Sequence, residues 1–470
     1  MLNLKDVTYK YTQESECSDI EGANIQVNQG ECVLLCGRSG SGKSTLSKMI
    51  NGLIPHYYEN GALLGRVSVA GLDTASSEIY EISRVVSSVF QNPKTQFFNV
   101  NTTGEILFYL ENRGFDQAFM KQKLEECARL FDIDHLLNRD IFELSGGEKQ
   151  MIALASAYVS GTEIILLDEV SSNLDLEKTA LIGEILKKLK ELGKTLIIAE
   201  HRFSYIKDII DRVYYIDQGK IKGVFSGADF FRMPEEERKE KGLRSIEFEE
   251  LERKSAERRP DKKKLTIEFL SHPFDRQNRG IEISGLSFDF GSIVGIHGRN
   301  GLGKSTFIKV LMGLEKSKSC NISIDGRRLK PKERLKLSYL VMQDVNYQLF
   351  TDSVMTEVTL GMSEAYSEEH VHSVLKALDI DAYAESHPMS LSGGEKQRVA
   401  IASAILSGAK IICFDEPTSG MDYENMRKIS ELIQSTVNDE LLIFVISHDN
   451  EFLNHCVDET LDMSAYEREF

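Results

Sequence analysis

Seven residues, Leu-Ser-Gly-Gly-Glu-Lys-Gln, stand at positions 144–150 and again at 391–397. In each copy a serine followed by two glycines opens an apolar-periodic run, which reads as a helix start with its backbone N–H groups exposed. Such a terminus binds anions through aligned donors and about half a positive charge of helix dipole. The small side chains leave the approach clear for a phosphate. A chain of 470 residues has room for about two to four domains, and the repeat settles on two large halves.

Upstream of each repeat lies G-x-x-x-x-G-K-[ST], placed between a strand-like and a helix-like run. The first loop comprises Gly37, Arg38, Ser39, Gly40, Ser41, Gly42, Lys43, Ser44 and Thr45; the second comprises Gly298, Arg299, Asn300, Gly301, Leu302, Gly303, Lys304, Ser305 and Thr306. The glycines let the backbone curl around a β-phosphate. Lys43 and Lys304 are expected to reach the β- and γ-phosphates, and the Ser44 and Ser305 hydroxyls to ligate Mg²⁺. Downstream, an apolar run ends in Asp168-Glu169, matched by Asp415-Glu416. Continuously apolar strands belong in parallel sheets, whose C-terminal edge is where ligands bind. Asp168 and Asp415 are expected to hold Mg²⁺, and Glu169 and Glu416 to act as general base or to orient water. The copies keep one offset here: 392 − 145, 415 − 168 and 448 − 201 all give 247.

Composition narrows the function. With 41% hydrophobic and 27% charged residues the chain reads as an ordinary globular protein, and a net charge of −17 argues against binding nucleic acid through its phosphates. No signal peptide is expected at the N-terminus, and no run of about 20 apolar residues could span a membrane. A transport role would therefore take its pore from another chain. The seven cysteines make no metal-ligand or disulfide framework, and Cys32 and Cys36 read as buried thiols in a strand, which suits a reducing cytoplasm. Residues 103–139 read as helical and mostly amphipathic. Between 235 and 264, 10 acidic and 11 basic residues read as a solvated helix or flexible linker. The basic triplet Lys262, Lys263 and Lys264 reads either as the solvated end of that linker or as a membrane-surface patch.

In this order the motifs resemble the ATP-hydrolysing subunits of ABC transporters, in which Leu-Ser-Gly-Gly is the signature; the resemblance covers nearly the whole chain, twice. It implies an α/β fold of two tandem nucleotide-binding domains, 1–232 and 265–470, joined by a charged linker over 233–264. Each would have a mixed or parallel sheet and a helical subdomain carrying the signature. ATP would be held by both loops and by Ser145, Gly146, Gly147, Ser392, Gly393 and Gly394. Tyr11 would stack on adenine, with Tyr9 the other aromatic at that strand end and Phe274 the candidate in the second copy. Gln91 and Gln343 would touch Mg²⁺ and the attacking water and begin the loop that senses a membrane partner. His201 and His448 would contact the γ-phosphate, and residues 171–175 and Asp422 would cross between halves. The halves would pair head to tail, each signature completing the other's loop. Neither copy lacks its Lys, Asp, Glu or His, so both sites are expected to hydrolyse.

The Gln-Asn-Pro…Gln run at 91–96, its Gln-Asp-Val…Gln echo at 343–348, and the Gly-Leu-Ile-Pro segment after Asn51 are similar to energy-coupling-factor importers. That resemblance implies an integral membrane coupling subunit, a substrate-binding membrane subunit, a peripheral place on the cytoplasmic face, and uptake of a vitamin, metal ion or similar solute. The alternative is a soluble tandem ABC ATPase acting on ribosomes. Those carry a longer helical linker and Asn-His-Leu-Asp after the base, where this chain has Ser172-Asn-Leu-Asp175 and Gly420-Met-Asp422.

Overall fold

The computed structural model describes residues 1–12, 18–58, 60–172, 174–255, 261–273, 279–317, 319–362 and 367–469. Phe274 lies outside them. The chain divides into two compact units, Met1–Phe248 with Asp422–Glu424, and Glu249–Met421 with Asn425–Phe470.

Among its described residues the first unit contains the strands β1 (Leu2–Lys10), β2 (Ile20–Val27), β3 (Cys32–Gly37), β4 (Ala62–Val69), β5 (Leu72–Asp73), β6 (Val86–Val89), β7 (Ile164–Asp168), β8 (Thr195–Ala199), β9 (Arg212–Asp217) and β10 (Lys220–Ser226). They form an antiparallel sheet ordered β2-β1-β4-β5 and a second sheet ordered β10-β9-β3-β8-β7-β6. In the second sheet β9, β3, β8, β7 and β6 run parallel, while β10 returns antiparallel along β9.

Strand periodicity explains why the central strands are apolar throughout. Along β3, Cys32, Leu34 and Cys36 enter one core and Val33 and Leu35 the other. Ile165 and Leu167 of β7 face the first core while Ile164 and Leu166 face the second, and β8 divides the same way. A strand covered on both faces must be apolar at every position. Each fully buried Leu or Ile contributes about 1.5–3 kcal/mol. Burial also pushes the Cys36 thiol up to about 12, so it stays protonated as a core group.

The expected helical stretch resolves into two helices, Thr102–Asn112 and Gln117–Phe131, capped by the Asn101 and Asp116 side chains. The signature helix Gly146–Val159 follows, and its Ile152, Leu154 and Val159 join the same core.

The second unit repeats the plan with β11 (Lys264–Pro273), β12 (Arg279–Asp289), β13 (Ile293–His297), β14 (Ser319–Ile324), β15 (Arg327–Arg328), β16 (Ser338–Val341), β17 (Ile411–Asp415), β18 (Leu442–Ile446), β19 (Glu459–Asp462) and β20 (Glu467–Glu469). Its parallel sheet is ordered β16-β17-β18-β13-β19, the same sequence of roles as β6-β7-β8-β3-β9. The ends differ. In the first unit the chain turns back as β10 beside β9, whereas in the second it leaves the parallel sheet and adds β20 to β12 in the antiparallel one.

The stretch expected as a solvated helix or flexible linker opens with a largely exposed helix, Glu235–Glu240, and its later described parts pack onto the units. Leu243, Arg244 and Ile246 are buried, Arg238 Nη1 donates to Leu243 O at 2.8 Å, and Tyr215 donates to Lys241 O at 3.0 Å. Further on, Lys254 O accepts from Thr460 N at 3.0 Å, within the second unit. Charge composition hid this because arginine and lysine bury their stems while keeping their heads hydrated. Lys262 and Lys263 pair with Asp439 and Glu440 at 3.0 and 3.1 Å, so the basic triplet is largely neutralised on the surface of its own unit.

Candidate functional site

Both phosphate loops follow an interior strand of a parallel sheet, β3 or β13. In the first, Gly37 has φ 149°, and a Cβ there would lie 1.9 Å from Ile216 O, so no side chain fits where β3 passes β9. The loop ends at Gly42, the left-handed residue before the helix Lys43–Ile50. Lys43 is buried, and its ammonium donates to Gly37 O at 3.1 Å and Arg38 O at 3.0 Å, folded back into the loop it will serve. Burial lowers its proton affinity. Lys304 does the same toward Gly298 O and Arg299 O, at 2.7 and 2.9 Å.

The strand-end carboxylates stand against these loops. Ser44 Oγ lies 3.4 Å from Asp168 Oδ1, and Ser305 Oγ 2.8 Å from Asp415 Oδ2. Burial raises both aspartates. A hydroxyl facing a carboxylate is a hard-oxygen donor set of the kind that suits Mg²⁺, which needs only one or two protein oxygens beside phosphate and water.

Glu169 and Glu416 both take a left-handed backbone, with φ 50° and 51°, and each donates its N–H to the next strand's end, Ala199 O or Ile446 O. A side chain held in that region at a sheet edge is strain concentrated where function sits. Glu169 Oε2 accepts from Gln91 Nε2 at 2.9 Å, and Oε1 lies 3.5 Å from His201 Nε2. Burial, opposed by Lys43 and reinforced by Asp168 and Glu200, pushes the Glu169 carboxyl up to about 8. Burial first, then Lys43, pushes His201 well below its ordinary value, so the ring is neutral. In the second unit His448 Nε2 lies 2.8 Å from Asn300 Oδ1, 3.1 Å from Lys304 Nζ and 3.8 Å from Glu416 Oε1.

Tyr11 lies beside the first loop: its hydroxyl is 3.2 Å from Thr45 Oγ1 and accepts from Lys48 Nζ at 3.3 Å. Tyr9, the other aromatic of that strand end, is a buried core residue. Tyr58, just beyond the Gly-Leu-Ile-Pro segment, meets the Tyr11 ring edge-on at 5.3 Å.

The sequence groups Lys43, Ser44, Gln91, Asp168, Glu169 and His201 come together in one unit, as do Lys304, Ser305, Asp415, Glu416 and His448 in the other. The signatures stand apart. Among the described residues no hydrogen bond joins Ser145, Gly146 or Gly147 to the loop of their own unit, and the same holds for Ser392, Gly393 and Gly394. Each signature serine caps its helix in a reciprocal box, with Glu148 or Glu395. A Cβ at Gly146 or Gly393 would meet nothing within 4 Å, so the backbone is open there. Lys178 donates to Ser145 Oγ at 2.9 Å; position 178 + 247 = 425 is Asn425.

The glutamine loops are built alike. Gln96 Oε1 accepts from Phe90 N at 3.0 Å, and Gln348 Oε1 from Met342 N at 2.7 Å, so the second glutamine of each pattern closes the loop begun by the first. Asn92 and Asp344 each cap a short 3-10 turn, which makes Asn-Pro and Asp-Val equivalent starts. Glu105 and Glu357 each accept two backbone N–H groups of the following segment, which leaves Phe98 77% and Phe350 76% exposed.

The sequence reading left out Glu200, which is buried beside Glu169. The constant offset between copies was the signal that could have exposed it, since 200 + 247 = 447 is Ser447.

Fold and site together define a tandem phosphate-loop ATPase. The ABC transporter family matches residues 20–172 and 282–419, and the chain belongs to it. A relative from Treponema denticola, named as an ABC transporter ATP-binding protein, is 40% identical over 99% of this chain and 96% of its own. One from Saccharolobus solfataricus, named likewise, is 33% identical over 98% of this chain and 92% of its own. Among solved structures, the archaeal ribosome recycling factor aABCE1, in complex with the ribosomal stalk protein aP1, superposes with a TM-score of 0.65 at 22% identity; the match covers 97% of this chain and 87% of that one. At that identity the likeness is one of fold. No helix among the described residues is long and apolar enough to cross a membrane.

Proposed function

We propose that the chain is the ATPase of an energy-coupling-factor-type importer, driving uptake of a small solute through separate membrane subunits. The observation that carries the reading is the duplicated loop after Gln91 and Gln343. Each is pinned by a glutamine and a glutamate, and each holds a phenylalanine out to solvent. An exposed aromatic on a fixed loop beside an ATP site is a docking point for an apolar partner surface. The relatives' names, ATP-binding proteins of ABC transporters, support a membrane partner.

In the proposed reaction the two halves close head to tail on two ATPs, Ser145–Gly147 completing the loop at Lys304 and Ser392–Gly394 the loop at Lys43. Lys43 and Lys304 exchange their loop carbonyls for β- and γ-phosphate oxygens. Ser44 with Asp168, and Ser305 with Asp415, would hold Mg²⁺, which would supply charge neutralisation to the phosphates. Gln91 and Gln343 orient the water. Glu169 or Glu416 takes its proton as the oxygen bonds to the γ-phosphorus and the bond to the β-phosphate oxygen breaks, giving ADP and phosphate. Neutral His201, and His448 in the second site, contact the γ-phosphate, and Tyr11 packs on the adenine of the first site. Loss of the γ-phosphate removes the charge both halves share, and they part.

The test is capture of a tagged Glu169→Gln, Glu416→Gln double variant with ATP from detergent-solubilised cells, read by mass spectrometry. Integral membrane proteins are expected with it. Ribosomal proteins with an empty membrane fraction would overturn the importer reading and leave the ATPase.

A further inference from the structure

The two units stitch the strand-end loop that carries the base to the loop that carries the histidine, and they do so with different carboxylates. In the first unit the stitch is Glu200, 1% exposed: Oε1 accepts from Ser171 N at 3.0 Å and from the Tyr205 hydroxyl at 2.8 Å, and Oε2 accepts from His201 N at 2.9 Å. In the second unit position 447 is a serine, and the stitch moves two residues on, to Asp449, whose Oδ2 accepts from Thr418 Oγ1 at 3.1 Å.

The exchange changes what holds the base. With no carboxylate at 447 to receive them, the Ser447 hydroxyl and the His448 N–H both donate to Glu416 Oε2, at 3.1 and 3.3 Å. In the first unit the equivalent N–H is taken by Glu200, and Glu169 is left to Gln91 and His201. Hydrogen bonds to a charged acceptor are about twice as strong as neutral ones, and because they stabilise the charged form they make the carboxylate a weaker acceptor of a proton from water.

We propose that Glu200 is a positioning residue of the first site: by occupying the Ser171 and His201 amides it leaves the Glu169 carboxylate on Gln91 and His201. Ser447 and the His448 amide instead tie Glu416 to its own strand end, so that the two copies hydrolyse ATP at unequal rates, the Glu169 copy faster. The proposal rests on Glu169 and Glu416 being the bases.

The experiment compares steady-state ATPase kinetics of the full chain carrying Glu200→Ser or Ser447→Ala, with Glu169→Gln and Glu416→Gln alongside. Glu200→Ser gives the first site the second site's arrangement and is expected to lower kcat about fivefold with KM for ATP within about twofold. Ser447→Ala removes one of the two donors that tie Glu416 down and is expected to raise kcat about twofold. Opposite signs set this apart from a structural role, in which both variants would lose activity. Should Glu200→Ser not fold, the sign of the Ser447→Ala change decides. Both variants falling, neither moving, or KM shifting in place of kcat overturns the proposal. If the two Glu→Gln variants keep the parental rate, it is the assignment of the bases that fails.

Discussion

Each unit surrounds its phosphate loop with the same set of groups, yet the two sets are tied down differently. In the first, Gly37 is jammed against Ile216 O and His201 faces Glu169 at 3.5 Å. In the second, a Cβ on Gly298 would come 3.0 Å from the flexible Leu302 side chain and otherwise into ordinary contact with Met463, and His448 reaches both Lys304 and Asn300. Chemistry needs the charged atoms in place; it does not dictate which neighbours hold them. Duplication with divergence has therefore conserved the lysine, aspartate, glutamate and histidine in both copies while their supporting neighbours changed.

The comparison can be broken at several points. The largest effect is expected from alanine at the two leading glycines. Gly37→Ala must move a backbone carbonyl and should cost about 3 kcal/mol or more, while Gly298→Ala displaces one flexible leucine at a strained φ and should cost about 1–2 kcal/mol. Calorimetric unfolding of the two variants reads the difference, and equal losses would mean the loops are held alike after all. Next come the exposed aromatics. Phe98→Asp and Phe350→Asp should each reduce capture of membrane proteins by about tenfold, the scale of one interface anchor, and a loss confined to one of them would assign the partner to one unit. A smaller effect belongs to Lys178, which adds a positive charge at the first signature serine where the second unit has Asn425. Lys178→Ala should raise KM for ATP about two- to fivefold, and Asn425→Ala should leave it within about twofold. Smallest is Lys263→Ala at the exposed pair with Glu440, expected to change stability by under about 1 kcal/mol.

Much of this was legible in the residues because it rests on local rules. Continuously apolar strands, glycines before Gly-Lys-Ser and a serine opening a helix each carry their own physical signature, and both parallel sheets formed where those signs stood. In the segment 233–248 the charged helix Glu235–Glu240 follows its composition, whereas Arg238, Leu243 and Arg244 are buried by contacts no local pattern encodes. Glu200 escaped for a related reason. A single carboxylate beside a histidine says nothing until the fold brings Ser171 and Tyr205 against it. The second glutamine of each loop was visible as a pattern, but its task, closing the loop onto Phe90 N or Met342 N, belongs to three dimensions.

The most direct measurement of the central claim, two copies of one chemistry with unequally held bases, is phosphate formation in a rapid-quench single turnover with ATP saturating both sites. The parent chain is predicted to show two phases, with Glu169→Gln removing the fast one and Glu416→Gln the slow one. A single phase in the parent, or loss of the fast phase in Glu416→Gln instead, would contradict it.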